Sequence, residues 1–111
     1  MIDLSYLRSI SDNNEEFITQ MIQSFLDHAP TYIQEMKTAC HQDEWSGLAM
    51  STHKLKPSAT YMGIDQLLDV ILQIENQVKQ SGPSAEQLHK LILQVEQLCN
   101  DAYPLLQNKL H

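Results

Sequence analysis

Apolar residues recur at helical spacing along the whole chain, and no segment alternates apolar and polar residues as a strand would. The repeats stop at turn-forming residues, of which the clearest group is Ser81-Gly82-Pro83-Ser84. With 111 residues, 42% of them apolar, the chain is long enough to build one hydrophobic core but too short for two. The pattern therefore predicts one all-α domain over residues 1–111.

Four helices of about 13 residues or more, joined by short connections, favour an antiparallel four-helix bundle. They are predicted at about residues 30–42, 44–62, 64–80 and 84–108. Additional short N-terminal helical segments are expected within about residues 2–28, where they cover the bundle. Whether the second of these segments continues in the same direction into the helix from Pro30 stays open. Pro30 is interpreted as a helix start, where the missing N–H of proline is harmless, and Pro104 as a kink or end.

Several polar residues are interpreted as helix boundaries. Asn13, Asp43 and Ser84 are predicted N-caps, because their side chains accept hydrogen bonds from the free N–H groups of a first turn. Gly63 is predicted to end the helix at 44–62 or to allow the close turn after it. These boundaries define the helix limits given above.

The net charge of −7 argues against nucleic acid and against direct binding to anionic membranes. No apolar run approaches the length of a membrane span and no signal peptide begins at Met1, so a cytoplasmic location is expected. Cys40 and Cys99 lack a C-x-x-C spacing and are expected to be reduced core thiols. The three glycines are too far apart to form a nucleotide-binding loop. Any phosphate must therefore arrive from a partner.

One stretch of this acidic chain, His53-Lys54-Leu55-Lys56-Pro57-Ser58-Ala59-Thr60-Tyr61-Met62-Gly63, contains one histidine, two lysines and no acidic residue. On a helix whose core stripe contains Leu48 and Leu55, His53 lies roughly 130° from the core direction and is expected to be exposed. Lys56, one turn on, can reach back toward a group on His53. Lys54 lies on the far side and adds to the local positive field. The stretch predicts a histidine that is transiently phosphorylated.

The surface around His53 is predicted to admit a partner protein, because most of its side chains are small or apolar. The residues expected to contact the partner are Ala49, Met50, Lys54, Pro57, Thr60 and Tyr61.

Glu75 falls on the apolar stripe of the following helix, where a carboxylate is costly without a partner. If the helices at 44–62 and 64–80 pair antiparallel about Gly63, Glu75 lies level with His53. It then accepts a hydrogen bond from His53 Nδ1–H and leaves Nε2 free as the nucleophile. The alternative is that Glu75 lies at the edge of the stripe and reaches solvent or pairs with a lysine. Both interpretations remain open at this point.

The pattern His53-x-Leu55-Lys56-x-Ser58, with Gly63 ten residues after the histidine, resembles the signature of histidine-containing phosphotransfer (HPt) domains of bacterial phosphorelays. The resemblance covers nearly the whole chain. Phe25-Leu26 with Ala29-Pro30, Asp43-Glu44-Trp45 and Ile74-Glu75 are similar to the family's flanking patterns.

The resemblance implies a four-helix bundle whose histidine accepts a phosphoryl group from a receiver-domain aspartate and passes it to another receiver. His53 then corresponds to the phosphorylated residue, Lys56 to the cation beside the phosphate, Gly63 to the small residue at the helix end, and Glu75 to a polar position that often supports the histidine. The implied partners are response-regulator receiver domains and, further, a hybrid histidine kinase. The resemblance implies a monomeric phosphocarrier rather than an enzyme, with no cofactor of its own, since Mg²⁺ belongs to the receiver.

One position departs from the family, because the residue after Lys56 is usually glycine and here is Pro57. Proline cannot donate to the carbonyl four residues earlier, which is that of His53. We expect a local kink or a lengthened hydrogen bond at His53, with the proline ring flat on the docking surface. The departure bears on partner choice more than on phosphorylation.

Two other functions compete with this interpretation. A di-metal bundle site needs Glu-x-x-His on two helices, whereas only Glu86-Gln87-Leu88-His89 has that spacing, at a helix start. His28, His41 and His111 share no spacing and are expected on the surface. The other alternative is a scaffold that binds receivers without being phosphorylated, against which the presence of both His53 and Lys56 speaks. Which kinase and receivers are partners, and whether the chain stands alone or belongs to a larger hybrid kinase, stay open.

Overall fold

The computed structural model describes residues 1–110, and these form five α-helices without strands. The helices are α1 (Ser5–Ile10), α2 (Glu15–His41), α3 (Trp45–Tyr61), α4 (Asp65–Val78) and α5 (Ala85–Lys109). Helix α2 packs on α3 and α5, and α4 packs on the same two helices, so the four long helices enclose one core. The predicted all-α four-helix bundle is confirmed.

Contacts between neighbouring helices show that the bundle is antiparallel. Cys40 near the end of α2 lies against Ala85 at the start of α5, with Sγ 3.6 Å from the carbonyl oxygen. At the other end of the same pair, the rings of Phe25 and Tyr103 lie 5.7 Å apart between centroids. The resulting bundle measures 45 × 21 × 20 Å.

The core is formed by the apolar stripe of each long helix, as the periodicity predicts. Fully buried side chains come from every helix, among them Leu7, Ile22, Met36, Leu48, Leu55, Ile71, Ile74, Leu88 and Ile92. Both free thiols, Cys40 and Cys99, are buried in this core. Burial raises the pKa of both, that of Cys99 to about 12.

The predicted helix start at Pro30 is wrong, because α2 is continuous from Glu15 to His41 with Pro30 inside it. The separate N-terminal cover is therefore limited to α1, and residues 15–28 belong to the bundle. An internal proline costs about 3 kcal/mol, but α2 buries side chains on both sides of it, including Phe25 and Ile33, and the proline itself is exposed. Pro104 likewise lies inside α5, which continues to Lys109.

The predicted caps are correct at one of three positions. Ser84 accepts from the backbone N–H of Gln87 at 3.3 Å. The cap of α2 is Asn14 rather than Asn13, and that of α3 is Glu44 rather than Asp43. Asn13 and Asp43 instead have positive φ angles, a conformation that Asn and Asp tolerate better than most residues. Among the described residues, no helix is long and apolar enough to span a membrane.

Candidate phosphorylation site

His53 projects from the middle of α3 on the side opposite its buried stripe. Leu48, Leu55 and Ala59 face the core, with exposures of 1% or less. The His53 side chain is 77% exposed, in agreement with the helical geometry. Another protein can therefore reach the imidazole without rearranging the bundle.

Glu75 of α4 lies beside His53, and its carboxylate contacts two side chains of α3. Its Oε1 accepts a hydrogen bond from Lys56 Nζ at 2.9 Å, and its Oε2 lies 3.6 Å from His53 Nδ1. The Glu75 side chain is only 17% exposed. The pairing with a lysine that was left open for Glu75 is present in the structure. The carboxylate also faces His53, but the distance of 3.6 Å is longer than the hydrogen bond predicted from His53 Nδ1–H.

The charge state of Glu75 follows from these neighbours. Burial alone raises the pKa of the Glu75 carboxyl, but the hydrogen bond and charge of Lys56, assisted by His53, outweigh it and leave the pKa below its ordinary value. Glu75 is therefore ionised at neutral pH. An ionised carboxylate accepts hydrogen bonds, so it favours the His53 tautomer with the proton on Nδ1.

Lys54 lies on the other side of α3, toward α2. Its Nζ is 3.1 Å from Glu35 Oε1 and 5.0 Å from the centroid of the Tyr32 ring. The structure therefore joins Lys56, but not Lys54, to the His53–Glu75 pair.

The family comparison agrees with this geometry. The model of the Hpt domain family matches residues 20–101, which is most of the chain. The chain belongs to the Hpt domain family. Membership implies a histidine phosphotransfer role in a phosphorelay and contact with receiver domains or histidine kinases. No curated protein and no solved structure matched the chain.

The remaining predicted contact residues of the Hpt domain lie on α3 and differ in exposure. Met50 is 65% exposed, Pro57 and Thr60 are exposed, and Ala49 and Tyr61 are half-buried. Helix α3 runs without interruption through Pro57, so the proline does not end the helix. The kink or lengthened hydrogen bond expected at His53 stays a prediction.

Gly63 allows the N-terminal segment of the Hpt domain to lie close against the end of α3. It has a φ of +64°, and the backbone N–H of Asp3 donates to the carbonyl of Met62 at 3.0 Å. Tyr6 of α1 then stacks on Tyr61, with ring centroids 6.1 Å apart. The sequence contains no local signal for this contact, because the two tyrosines are far apart in the chain.

Three residues near the site were missed in the sequence. Val78 and Lys79 follow Glu75 by about one helical turn, and both line the groove between α3 and α4 that contains His53. Trp45 at the start of α3 lines the same groove. The helical spacing from Glu75 was the signal that could have identified Val78 and Lys79.

The other histidines lie away from this site or beyond the described residues. His28 is exposed, with Nδ1 2.9 Å from the carbonyl oxygen of Ser24, and His41 and His89 are exposed too. His111 lies outside the described residues. Within residues 1–110, no three His, Cys, Asp or Glu side chains are grouped so that they could hold a metal ion.

Proposed function

We propose that the protein is a phosphorelay intermediate that accepts a phosphoryl group from a receiver-domain aspartate on His53 Nε2 and passes it to another receiver domain. The observation that carries the proposal is the exposed His53 whose Nδ1 faces the carboxylate of Glu75 at 3.6 Å. The Glu75 carboxylate favours the tautomer with the proton on Nδ1, which leaves the lone pair on Nε2.

The transfer balances without an additional proton acceptor. The Nε2 lone pair attacks phosphorus, the P–N bond forms, and the P–O bond breaks as the receiver aspartate leaves as a carboxylate. The ring keeps its Nδ1 proton and becomes cationic, and the adjacent Glu75 carboxylate stabilises this charge. In the second transfer a carboxylate of the next receiver attacks phosphorus, and His53 leaves as a neutral imidazole.

Lys56 supplies the positive charge on the phosphate side of the ring. Its ammonium group has three donors, of which Glu75 Oε1 engages one at 2.9 Å. The other donors remain to bind phosphoryl oxygens on His53, one helical turn away. The side chain is 36% exposed, so it can follow the phosphoryl group.

The proposal extends to what the domain needs from its partners. The phosphoryl group and the Mg²⁺ both come with the receiver, so the domain acts as a monomeric phosphocarrier without a cofactor, metal or ATP site of its own. The face formed by Ala49, Met50, Pro57, Thr60 and Tyr61 receives the partner. The cytoplasmic location expected from the sequence stays a prediction.

The test is incubation with receiver domains that have been phosphorylated with a radiolabelled small donor. The wild-type protein is expected to gain a phosphate that is labile in acid and stable in base, as a phosphoramidate is. His53→Gln should abolish the label without changing helicity, whereas His28→Gln, which alters another exposed histidine, should keep it. Labelling that survives in His53→Gln would overturn the assignment, and binding of receivers without any label would favour the scaffold alternative.

A further inference from the structure

Helix α5 carries a line of leucines that the core does not fully cover. Leu91, Leu98 and Leu105 are spaced seven residues apart, so they lie on one face of the helix and form what we call the leucine stripe. Leu91 is 8% exposed, Leu98 is half-buried and Leu105 is 41% exposed. The stripe is thus more exposed toward the end of α5, where it leaves apolar surface in contact with water.

The leucine stripe borders a groove between α4 and α5. The groove has a volume of about 370 Å³, and Leu98 of α5 and Val70 of α4 form its apolar part. Gln66 and Gln94 line it as well. A glutamine side chain carries no charge and both donates and accepts hydrogen bonds, so a partner covers it at lower cost than it covers a charged group. The groove is therefore suited to contact with another protein.

The groove lies on a different side of α4 from His53. On α4, Glu75 faces His53, with Oε2 3.6 Å from Nδ1. Val70 precedes Glu75 by five residues, which places its side chain roughly 140° away around the helix axis. A molecule in the groove therefore leaves the imidazole of His53 accessible to a second protein.

The spacing and the charge of this face indicate what binds there. A stripe with one leucine every seven residues fits a second helix whose apolar residues repeat with the same period, as in coiled coils and in helix-in-groove complexes. Asp69 lines the groove, and Asp101 follows Leu98 by three residues. Within residues 1–110, neither carboxylate has a Lys, Arg or His side chain within 4 Å. Positive charge on the flanks of the partner helix complements these two carboxylates.

We propose that the groove between α4 and α5, together with the leucine stripe, binds an amphipathic helix of a partner protein. The apolar residues of this helix repeat every seven positions, and Lys or Arg residues lie on its flanks. The helix holds the domain while His53 exchanges its phosphoryl group with receivers. The binding of the helix is independent of the function proposed above, whereas its role during phosphotransfer rests on that function.

The chain offers a matched control for the charged part of the site. Asp101 and Asp27 are both exposed, and each accepts a hydrogen bond from a glutamine four residues earlier. The distance is 2.8 Å from Gln97 to Asp101 and 2.9 Å from Gln23 to Asp27. Asp27 lies on α2, across the bundle from α4. Asp101→Lys and Asp27→Lys therefore lose the same local contact and change the net charge equally, but on different faces.

A second matched pair tests the leucine stripe. Leu105 and Leu93 both belong to α5 and are 41% and 43% exposed. They are twelve residues apart, so Leu93 lies roughly 120° around the helix from the leucine stripe. Leu105→Ala and Leu93→Ala therefore remove similar exposed side chains, and only Leu105→Ala changes the stripe.

The experiment titrates the ¹⁵N-labelled full chain with a synthetic helical peptide of about three heptads, with leucines at the first and fourth positions of each heptad and lysines beside them. Amide signals of α4 and α5 should shift, and those around His53 should not. Asp101→Lys should weaken binding by about fivefold, because it replaces attraction by repulsion at an exposed site. Leu105→Ala should weaken it by about tenfold, because it removes apolar contact area. Asp27→Lys and Leu93→Ala should each change it by less than about twofold, because salt screens distant charges and Leu93 lies off the stripe.

Several results would overturn the proposal. These are the absence of shifts with the peptide, shifts centred on α3 around His53, equal binding of a peptide with the same residues in scrambled order, and equal weakening by the control variants. Sedimentation of the protein alone tests another occupant. Self-association that is lost in Leu105→Ala but kept in Leu93→Ala would make a second copy of the chain the occupant and would overturn the proposal as well.

Labelling in the presence of the peptide distinguishes this inference from the proposed function. With saturating peptide, a phosphorylated receiver should label His53 at an unchanged rate. Labelling that is lost only when the peptide is present would refute simultaneous binding. Absence of labelling both with and without the peptide would refute phosphotransfer, whereas peptide binding that depends on Asp101 and Leu105 would still support the groove between α4 and α5.

Discussion

The contact between Gly63 and the N-terminal segment makes Gly63→Ala a sharp test of the structure. A Cβ at this position would overlap the carbonyl oxygen of Asp3 and would lie 2.7 Å from its carbonyl carbon. The φ of +64° adds strain of about 1–2 kcal/mol for a residue with a Cβ. Relief of the overlap moves Asp3, which breaks its hydrogen bond to Met62 and loosens the buried Leu4. With about 1 kcal/mol for the bond and about 1.5–3 kcal/mol for the leucine added to the strain, we expect a loss of about 3.5–6 kcal/mol.

The other two glycines supply controls for this substitution. Gly82 has a φ of +69°, but a Cβ added there would have no atom within 4 Å, so Gly82→Ala should cost only the strain of about 1–2 kcal/mol. Gly47 lies inside α3, and its Cβ would make an ordinary 3.6 Å contact with Ala39, so Gly47→Ala should stabilise the protein by up to about 1 kcal/mol. The free energy of unfolding from urea titrations at 25 °C measures all three. Equal losses in Gly63→Ala and Gly82→Ala would refute the Asp3 contact.

Three further predictions concern the site and the core. Lys56→Ala should slow transfer from a phosphorylated receiver by about tenfold or more in rapid-quench assays, with little change in helicity, and an unchanged rate would contradict its role. In Glu75→Gln, the difference from wild type in the free energy of unfolding should be constant well above pH 4.5 and should shrink as the pH falls below it. The reason is that the pKa of Glu75 is depressed from its ordinary value of 4.5 in the folded state, so the stability that its charge contributes is lost in acid. A difference that does not depend on pH in acid would contradict this. Cys40 and Cys99 should react with a thiol reagent only after unfolding, and rapid reaction of the native protein would contradict their burial.

The sequence predicted the bundle because each long helix carries its own apolar stripe, and a stripe is a local pattern. It misplaced the boundary at Pro30 because proline is a local signal for a helix start, whereas burial of Phe25 and Ile33 on either side of it depends on tertiary packing. The same reasoning applies to Pro104, which lies between the buried Ala102 and Leu106 of α5. Where local and tertiary signals conflict, the packing decides.

The site was predicted in part, for the same physical reason. The exposure of His53 follows from the helical periodicity alone, and the position of Glu75 follows from antiparallel pairing about Gly63. Pairing of Glu75 with a lysine was one of the alternatives, but that this lysine is Lys56 could not be derived, because it depends on which rotamer of a flexible side chain is stabilised across two helices. The stacking of Tyr6 on Tyr61 depends on a contact between distant parts of the chain, for which the sequence has no periodic signal.

The central claim is that His53 carries the phosphoryl group on Nε2 while Nδ1 stays protonated beside Glu75. Long-range ¹H–¹⁵N correlation spectra of ¹⁵N-labelled protein, phosphorylated by a receiver or by phosphoramidate, identify the substituted ring nitrogen directly. We predict that Nε2 of His53 becomes phosphorylated and that Nδ1 keeps its proton. A phosphate on Nδ1 of His53, or on any other histidine, would contradict the account.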